Sequence, residues 1–257
     1  MSAEQDKLNI VAGPPVPDEF EPQAAAAYPR HNWGLGAFLL VEAVYLGVSA
    51  AFGLLAAGRS GAPPAWMMAV AIAVPTVTAA ALALLIARVR GNGPRIDFRL
   101  HWSWRGLWLG LAFGLGGLFV TLPAAAIYLS IVGPEANSAV GRVFDGVQAT
   151  WPLAIAVFLL VAFIAPFCEE VVYRGLLWGA LEQRWGRWIA VVVSTVVFAL
   201  AHFEPTRAPL LLIVAIPIAL ARLYSGSLIA SVVAHQVTNL LPGIVMMFGL
   251  VGMVPAG

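Results

Sequence analysis

The chain has 257 residues, of which 61% are hydrophobic and 11% charged, with a formal net charge of +1 and a mean hydropathy of +0.88. Soluble domains carry about a quarter of charged residues, so this composition predicts an integral membrane protein. The small net charge argues against a nucleic-acid partner, and the single cysteine, Cys168, excludes an internal disulfide and a multi-cysteine metal site.

The N-terminal segment differs from the rest of the chain. It is polar, acidic and rich in proline, and it contains no apolar core of a signal peptide. We predict that residues 1–32 form a disordered polar tail. Residues 33–257 are predicted to form a single transmembrane helical domain.

Apolar runs long enough to cross a membrane follow the tail, given that about 20 residues span the hydrocarbon core. They are continuous and do not alternate, which favours helices over a barrel. The fold class predicted is therefore all-α, a polytopic membrane bundle of about seven transmembrane helices. The predicted spans are 33–57, 65–88, 104–131, 151–183, 188–203, 208–222 and 227–250.

The distribution of basic residues predicts the orientation. If the N-terminus is cytoplasmic, the cytoplasmic side collects Lys7, Arg30, Arg88, Arg90, Arg95, Arg99, Arg105, Arg184, Arg187 and Arg222. The other side then holds only Arg59, Arg142 and Arg207. We therefore expect a multi-pass protein of the cell membrane with its N-terminus in the cytoplasm.

Three charged residues, Glu169, Glu170 and Arg174, interrupt the fourth apolar run. Placing one such charge at the centre of a membrane helix costs about 2.5–3.5 kcal/mol. We therefore expect these residues to be paired, to be in contact with water or to serve a function. Adjacent helical residues point about 100° apart, whereas Glu170 and Arg174 at i, i+4 can form an ion pair. Glu169 is then the catalytic candidate. The alternative is that all three form a packing clamp between helices.

Two later runs contain histidines. His202 follows Phe198 by one turn, and its distance along its helix places it at the depth of Glu169 in an antiparallel hairpin. His235 and Asn239 share one helix face, where an imidazole and an amide could stabilise an oxyanion. Each could instead be a polar contact between helices.

Two further residues in the apolar runs, one in the first span and one in the fourth, also carry predictions. Glu42 is an intramembrane acid without an obvious partner in the sequence, which makes it a functional-site hypothesis by default. Pro166 lies one turn before Glu169 and is expected to kink the helix there.

Together, Glu169-Glu170-x-x-x-Arg174, Phe198-x-x-x-His202 and His235-x-x-x-Asn239 resemble, in order, the motifs of the CPBP family of intramembrane proteases. That family includes the type II CAAX prenyl endopeptidases and the Abi proteins. The resemblance covers about residues 150–245. It implies that Glu169 is the general base for a water molecule, assisted by His202, and that His235 and Asn239 bind the oxyanion. Glu170, Arg174 and Phe198 would support them.

The sequence leaves the cofactor open between a divalent metal such as zinc and none. Glu169, His202 and His235 could hold zinc with water in the fourth position, although the pattern is not HExxH. The predicted function is an intramembrane endopeptidase acting on a membrane-associated peptide or protein. The alternatives are a catalytically silent scaffold or bacteriocin-immunity-type protein and a proton-coupled transporter, although no internal repeat supports the latter. The oligomeric state stays open.

Overall fold

The computed structural model describes residues 29–58, 60–61, 63–133 and 138–253. These residues form helices and connecting turns, without a strand. Residues 1–28 of the predicted tail lie outside the described part. The helices are α1 (Leu35–Ala57), α2 (Ala65–Arg90), α3 (Pro94–Asp97), α4 (Trp104–Val132), α5 (Ala139–Val143), α6 (Trp151–Trp185), α7 (Arg187–Leu200), α8 (Ala208–Ser225) and α9 (Leu228–Leu250).

Six of the described helices, α1, α2, α4, α6, α8 and α9, are long and apolar enough to cross a membrane. Large side chains such as Leu54, Phe119 and Ile131 point outward, as expected of helices that are apolar on all sides. The predicted all-α membrane bundle is confirmed. The fifth predicted span corresponds to α7, whose 14 residues extend only about 21 Å.

The long helix α6 departs from α-helical geometry in two places. Leu160–Ile164 and Val171–Leu177 are π-helical turns, which widen a helix and are frequent at functional sites. The first precedes Pro166, which lacks an N–H and crowds the preceding turn. The second follows Glu170, and all seven of its residues are buried. The helix was expected to kink at Pro166, and the structure shows a widened turn just before this residue within one continuous helix.

Helix α9 packs closely against α4 because glycines line the contact. A Cβ atom on Gly110 would lie 2.7 Å from the Ala230 carbonyl oxygen, and one on Gly114 would lie 3.1 Å from the Ala234 Cα. Such small residues let two membrane helices approach to backbone distance. This contact sets the position of the helix that contains His235 and Asn239.

Polar contacts join several helix ends at one end of the bundle. The Asn32 amide donates to the Arg90 carbonyl at 2.9 Å, the Arg99 guanidinium pairs with Glu182 at 3.0 Å, and the Arg105 guanidinium donates to the Tyr224 carbonyl at 3.3 Å. The start of α1 therefore lies at the same end as the ends of α2, α6 and α8. His31, which belongs to the predicted tail, is buried against α6, where its backbone amide donates to the Gln183 side chain.

Candidate active site

Glu170 and Arg174 form the predicted ion pair, with Arg174 Nη1 3.1 Å from Glu170 Oε1 and both side chains fully buried. The same Glu170 oxygen lies 3.0 Å from His235 Nδ1. A carboxylate can only accept, so Nδ1 is the donor and the other ring nitrogen, Nε2, is directed away from Glu170. Glu170 therefore links an arginine on its own helix to a histidine on α9.

Nε2 of His235 lies 3.7 Å from Oε2 of Glu169. The side chain of Glu169 is 28% exposed, whereas that of His235 is 5% exposed and that of Glu170 is fully buried. Within this group, Glu169 is the carboxylate that a solvent molecule or a substrate can reach. The adjacent glutamates thus have different surroundings, as their 100° separation predicts.

His202 lies in the turn just after α7 and is held by Phe198. Its Nδ1 is 2.7 Å from the Phe198 carbonyl oxygen, so Nδ1 donates this hydrogen bond. The Phe198 ring lies 4.7 Å from the His202 ring and 5.6 Å from the His235 ring, and the Arg174 guanidinium stacks 4.4 Å from its centroid. Phe198 is the common contact of both histidines, while no hydrogen bond or ion pair described for these residues joins Glu169 to His202.

Glu204 fixes the turn that contains His202. Its buried carboxylate accepts a hydrogen bond from the Ala139 amide, pairs with Arg207, and lies 3.8 Å from Arg142. The turn is thereby attached to α5. These contacts restrain the backbone two residues from His202.

Asn239 donates through Nδ2 to the carbonyl of Val161, at 3.2 Å. In a π-turn that carbonyl would accept from the residue five positions later, which is Pro166 and has no N–H. Gln236 on α9 donates likewise to the carbonyl of Phe163, at 3.3 Å. Asn239 therefore satisfies backbone that the proline leaves open, and its Oδ1 and second N–H remain for other partners.

The structure does not gather the three side chains proposed as zinc ligands into one group. In the described part of the chain, no three His, Cys, Asp or Glu residues form a group that could hold a metal ion. The Nδ1 atoms of His202 and His235 both have hydrogen-bond partners, so a metal could bind either ring only through Nε2. The predicted set of Glu169, His202 and His235 gains no support as a metal centre.

Glu42 lies one turn after Phe38 on α1. The Phe38 ring meets the Tyr173 ring of α6 edge-on, with centroids 6.0 Å apart. The sequence singled out Glu42 as an acid in a membrane span, but it gave no indication that this part of α1 packs against α6.

The fold and the site define a class of protein: a multi-pass helical membrane protein with a partly accessible glutamate beside a buried glutamate–histidine–arginine network. Comparison with known families agrees with the resemblance found in the sequence. Residues 151–241 match the family described as type II CAAX prenyl endopeptidase Rce1-like. This match covers α6 to the middle of α9 and includes all seven predicted site residues.

A curated protein with a similar sequence also points to a membrane peptidase. The chain is 27% identical over 139 residues to the "Putative membrane peptidase YdiL" of Bacillus subtilis (strain 168). The alignment covers 51% of this chain and 54% of YdiL, so the chain spans about half the length of the relative it matches. No solved structure matches the chain. The resemblance to the CPBP proteases is confirmed by the family match and by this relative.

Proposed function

We propose that the protein is an intramembrane endopeptidase, similar to the CAAX proteases, in which Glu169 activates water to hydrolyse a peptide bond. The observation that carries the proposal is the geometry of Glu169, His235 and Glu170. One accessible carboxylate faces Nε2 of an imidazole whose Nδ1 is held by a second, buried carboxylate. General acid–base catalysis needs a proton acceptor of this kind beside the reacting water.

The gap between Glu169 and His235 accommodates the attacking water. Oε2 of Glu169 and Nε2 of His235 are 3.7 Å apart. A water oxygen about 2.8 Å from each atom would make an Oε2–water–Nε2 angle of about 83°, which is compatible with two hydrogen bonds. Glu169 takes a proton from this water as the oxygen attacks the substrate carbonyl. It later returns the proton to the leaving amine, so the carboxylate is regenerated.

His235 and Asn239 stabilise the tetrahedral intermediate in this proposal. When Nε2 of His235 is protonated, its N–H donates to the oxyanion, and the Glu170 carboxylate at Nδ1 stabilises the imidazolium. Asn239 adds its second N–H, since the first is bonded to Val161. His202, whose Nδ1 donates to the Phe198 carbonyl, assists Glu169 through its other ring nitrogen.

Glu170 and Arg174 position the reacting groups. The ion pair fixes the rotamer of Glu170, and Glu170 in turn orients the His235 ring. Phe198 packs against Arg174 and both histidines, excluding water from the buried side of the site. Desolvation of this kind strengthens the electrostatic interactions inside an active site.

The substrate in this proposal is a membrane-associated peptide or protein, because the site lies between helices that a bilayer surrounds. We also propose a location in the cell membrane with the N-terminus in the cytoplasm. The contacts that join Asn32 to Arg90 and Arg99 to Glu182 support this orientation, since they gather the arginine-rich helix ends on one side.

The test is cleavage of a library of membrane peptides by the purified protein in detergent, compared with Glu169→Gln. Mass spectrometry of the products locates the cut. We expect cleavage by the wild type to fall at least 100-fold in the variant, in line with the contribution of a general base. Equal cleavage by both proteins would eliminate Glu169 as the base. A parallel reaction with a chelator tests the metal-free form of the mechanism, which predicts an unchanged rate.

A further inference from the structure

Arg222 is a cation buried inside the bundle, and the predicted site does not include it. It lies in the last turn of α8, and only 1% of the residue is exposed. Long basic side chains near the end of a membrane helix usually extend to the interface, where the charge meets water. Arg222 is instead enclosed by protein, so specific interactions must retain it there.

The contacts of Arg222 include two with α6. Its Nε donates to the backbone carbonyl of Arg174 at 3.3 Å, in a buried hydrogen bond. Its guanidinium carbon lies 5.5 Å from the centroid of the Trp178 ring. Arg174 belongs to the second π-turn, Val171–Leu177, and Trp178 directly follows that turn. Arg222 therefore bonds to the backbone of the residue whose side chain pairs with Glu170.

The π-turn explains why the Arg174 carbonyl accepts from another helix. In an α-helix this carbonyl would accept a hydrogen bond from the Trp178 amide, four residues later. In the structure that amide donates to the carbonyls of Tyr173 and Gly175. A buried carbonyl is costly without a donor. The Nε of Arg222 donates to the carbonyl that the Trp178 amide bypasses, just as a side-chain amide of α9 does at the first π-turn.

The second π-turn sets the direction of the Arg174 side chain. Nη1 of Arg174 is 3.1 Å from Oε1 of Glu170, and the same oxygen is 3.0 Å from Nδ1 of His235. A π-turn contains about one residue more than an α-helical turn, and one residue corresponds to about 100° around the helix. If the turn relaxed to α-helical bonding, the segments on its two sides would rotate relative to each other. Arg174 would then lose its alignment with Glu170.

We propose that Arg222 is a positioning residue of the active site, which holds the second π-turn in its widened form by donating to the Arg174 carbonyl. This inference rests on the proposed endopeptidase function. Arg222 acts through the backbone of Arg174, whose side chain orients Glu170 and, through it, His235. It therefore affects the chemical step and not the binding of the substrate.

Two substitutions of similar size isolate the hydrogen bond. Arg222→Gln places an amide nitrogen as many bonds from the backbone as Nε, whereas Arg222→Met places a methyl group there. Both remove the charge, so the difference between them reports the donor. We expect kcat to fall about 10-fold in Arg222→Met, with KM conserved, and about threefold at most in Arg222→Gln, because a tenfold change is the size of one hydrogen bond.

The experiment measures kcat and KM of peptide cleavage for the wild type and both variants, per milligram of monodisperse protein, together with hydrogen exchange across Val171–Leu177. Exchange in this turn should increase in Arg222→Met and not in Arg222→Gln. Arg105→Met is the matched control, because the Arg105 guanidinium also donates to a backbone carbonyl at 3.3 Å, that of Tyr224, but at an exposed end of the bundle. The control should keep the wild-type kcat.

Three results would overturn the proposal. A kcat for Arg222→Met within twofold of the wild type, while Glu169→Gln is inactive, removes the role of Arg222 and leaves the proposed function standing. Equal losses of kcat in Arg222→Met and Arg222→Gln show that the donor at Nε is not what matters. A wild type without cleavage that depends on Glu169 refutes this proposal and the proposed function together.

A further variant keeps the test decisive if Arg222→Met does not fold. Arg222→Lys retains the charge but has a carbon atom at the position of Nε. It should lose more kcat than Arg222→Gln, which retains the donor and not the charge. Any other order of the two variants contradicts the proposal.

Discussion

Replacement of Arg174 by methionine should strongly destabilise the protein. Arg174 and Glu170 are 3.1 Å apart and neither side chain is exposed, so the substitution leaves the Glu170 carboxylate buried without its cation. Breaking a buried pair from one side costs about 3–5 kcal/mol. The variant also loses the cation over the Phe198 ring, 4.4 Å from its centroid, so we expect the upper half of that range.

The double variant Glu170→Gln/Arg174→Met separates charge burial from packing. It contains no unpaired charge, and neutral replacements of a buried pair are often close to neutral in stability. We expect it to recover most of the loss. The matched control is Arg99→Met, because the pair with Glu182 is equally short but 16% and 24% exposed. Partly exposed pairs contribute up to about 1 kcal/mol.

The assay is equilibrium unfolding of detergent-solubilised protein with increasing SDS, followed by tryptophan fluorescence. A loss below about 1 kcal/mol for Arg174→Met would refute the reasoning, because it falls in the range of exposed pairs. A double variant less stable than the single one would refute it too, since charge burial could not then be the dominant cost.

Three smaller predictions concern the backbone. Gly110→Ala should lower the melting temperature because its Cβ meets the backbone of α9, whereas Gly116→Ala, with open space around it, should not. Phe203→Gly should raise stability by about 1 kcal/mol relative to Phe203→Ala, measured by the same SDS titration, because φ is +54°; equal stability would contradict this. Glu204→Gln should increase hydrogen exchange across Ala139–Val143, since it weakens the carboxylate contacts that attach this helix, and unchanged exchange there would count against it.

Hydropathy was sufficient to predict the bundle, because a lipid-facing helix shows its length directly as an apolar run. The fifth span was the weakest part of that prediction. It was placed at 188–203, but α7 ends at Leu200. The His202 ring bonds to the carbonyl of Phe198, and Phe203 adopts a left-handed φ, so the chain turns before the apolar run is complete.

Local spacing predicted the ion pair of Glu170 and Arg174, since i, i+4 residues are neighbours on any helix. It could not predict the hydrogen bond from His235 to Glu170, because 65 positions separate them and the contact depends on how α9 crosses α6. From the sequence alone, only the order of the motifs and the family resemblance indicated that Glu170 and His235 belong to one site.

The π-turns of α6 illustrate a further limit. Pro166 indicated a disturbance of the helix, but the residues of Val171–Leu177 are as suited to an α-helix as to a π-turn. The π-turns also affect Asn239, the predicted oxyanion ligand. Asn239 donates a hydrogen bond to the Val161 carbonyl in the first π-turn, so it has a structural role in addition to its proposed chemical role.

The central claim is that Glu169 delivers water to a peptide bond. The most direct measurement is cleavage of a membrane peptide in water enriched in ¹⁸O, with the products analysed by mass spectrometry for the wild type and for Glu169→Gln. The account predicts one ¹⁸O atom in the new C-terminal carboxylate of the wild-type product and no such product from the variant. Labelled product at the same rate from Glu169→Gln would contradict it.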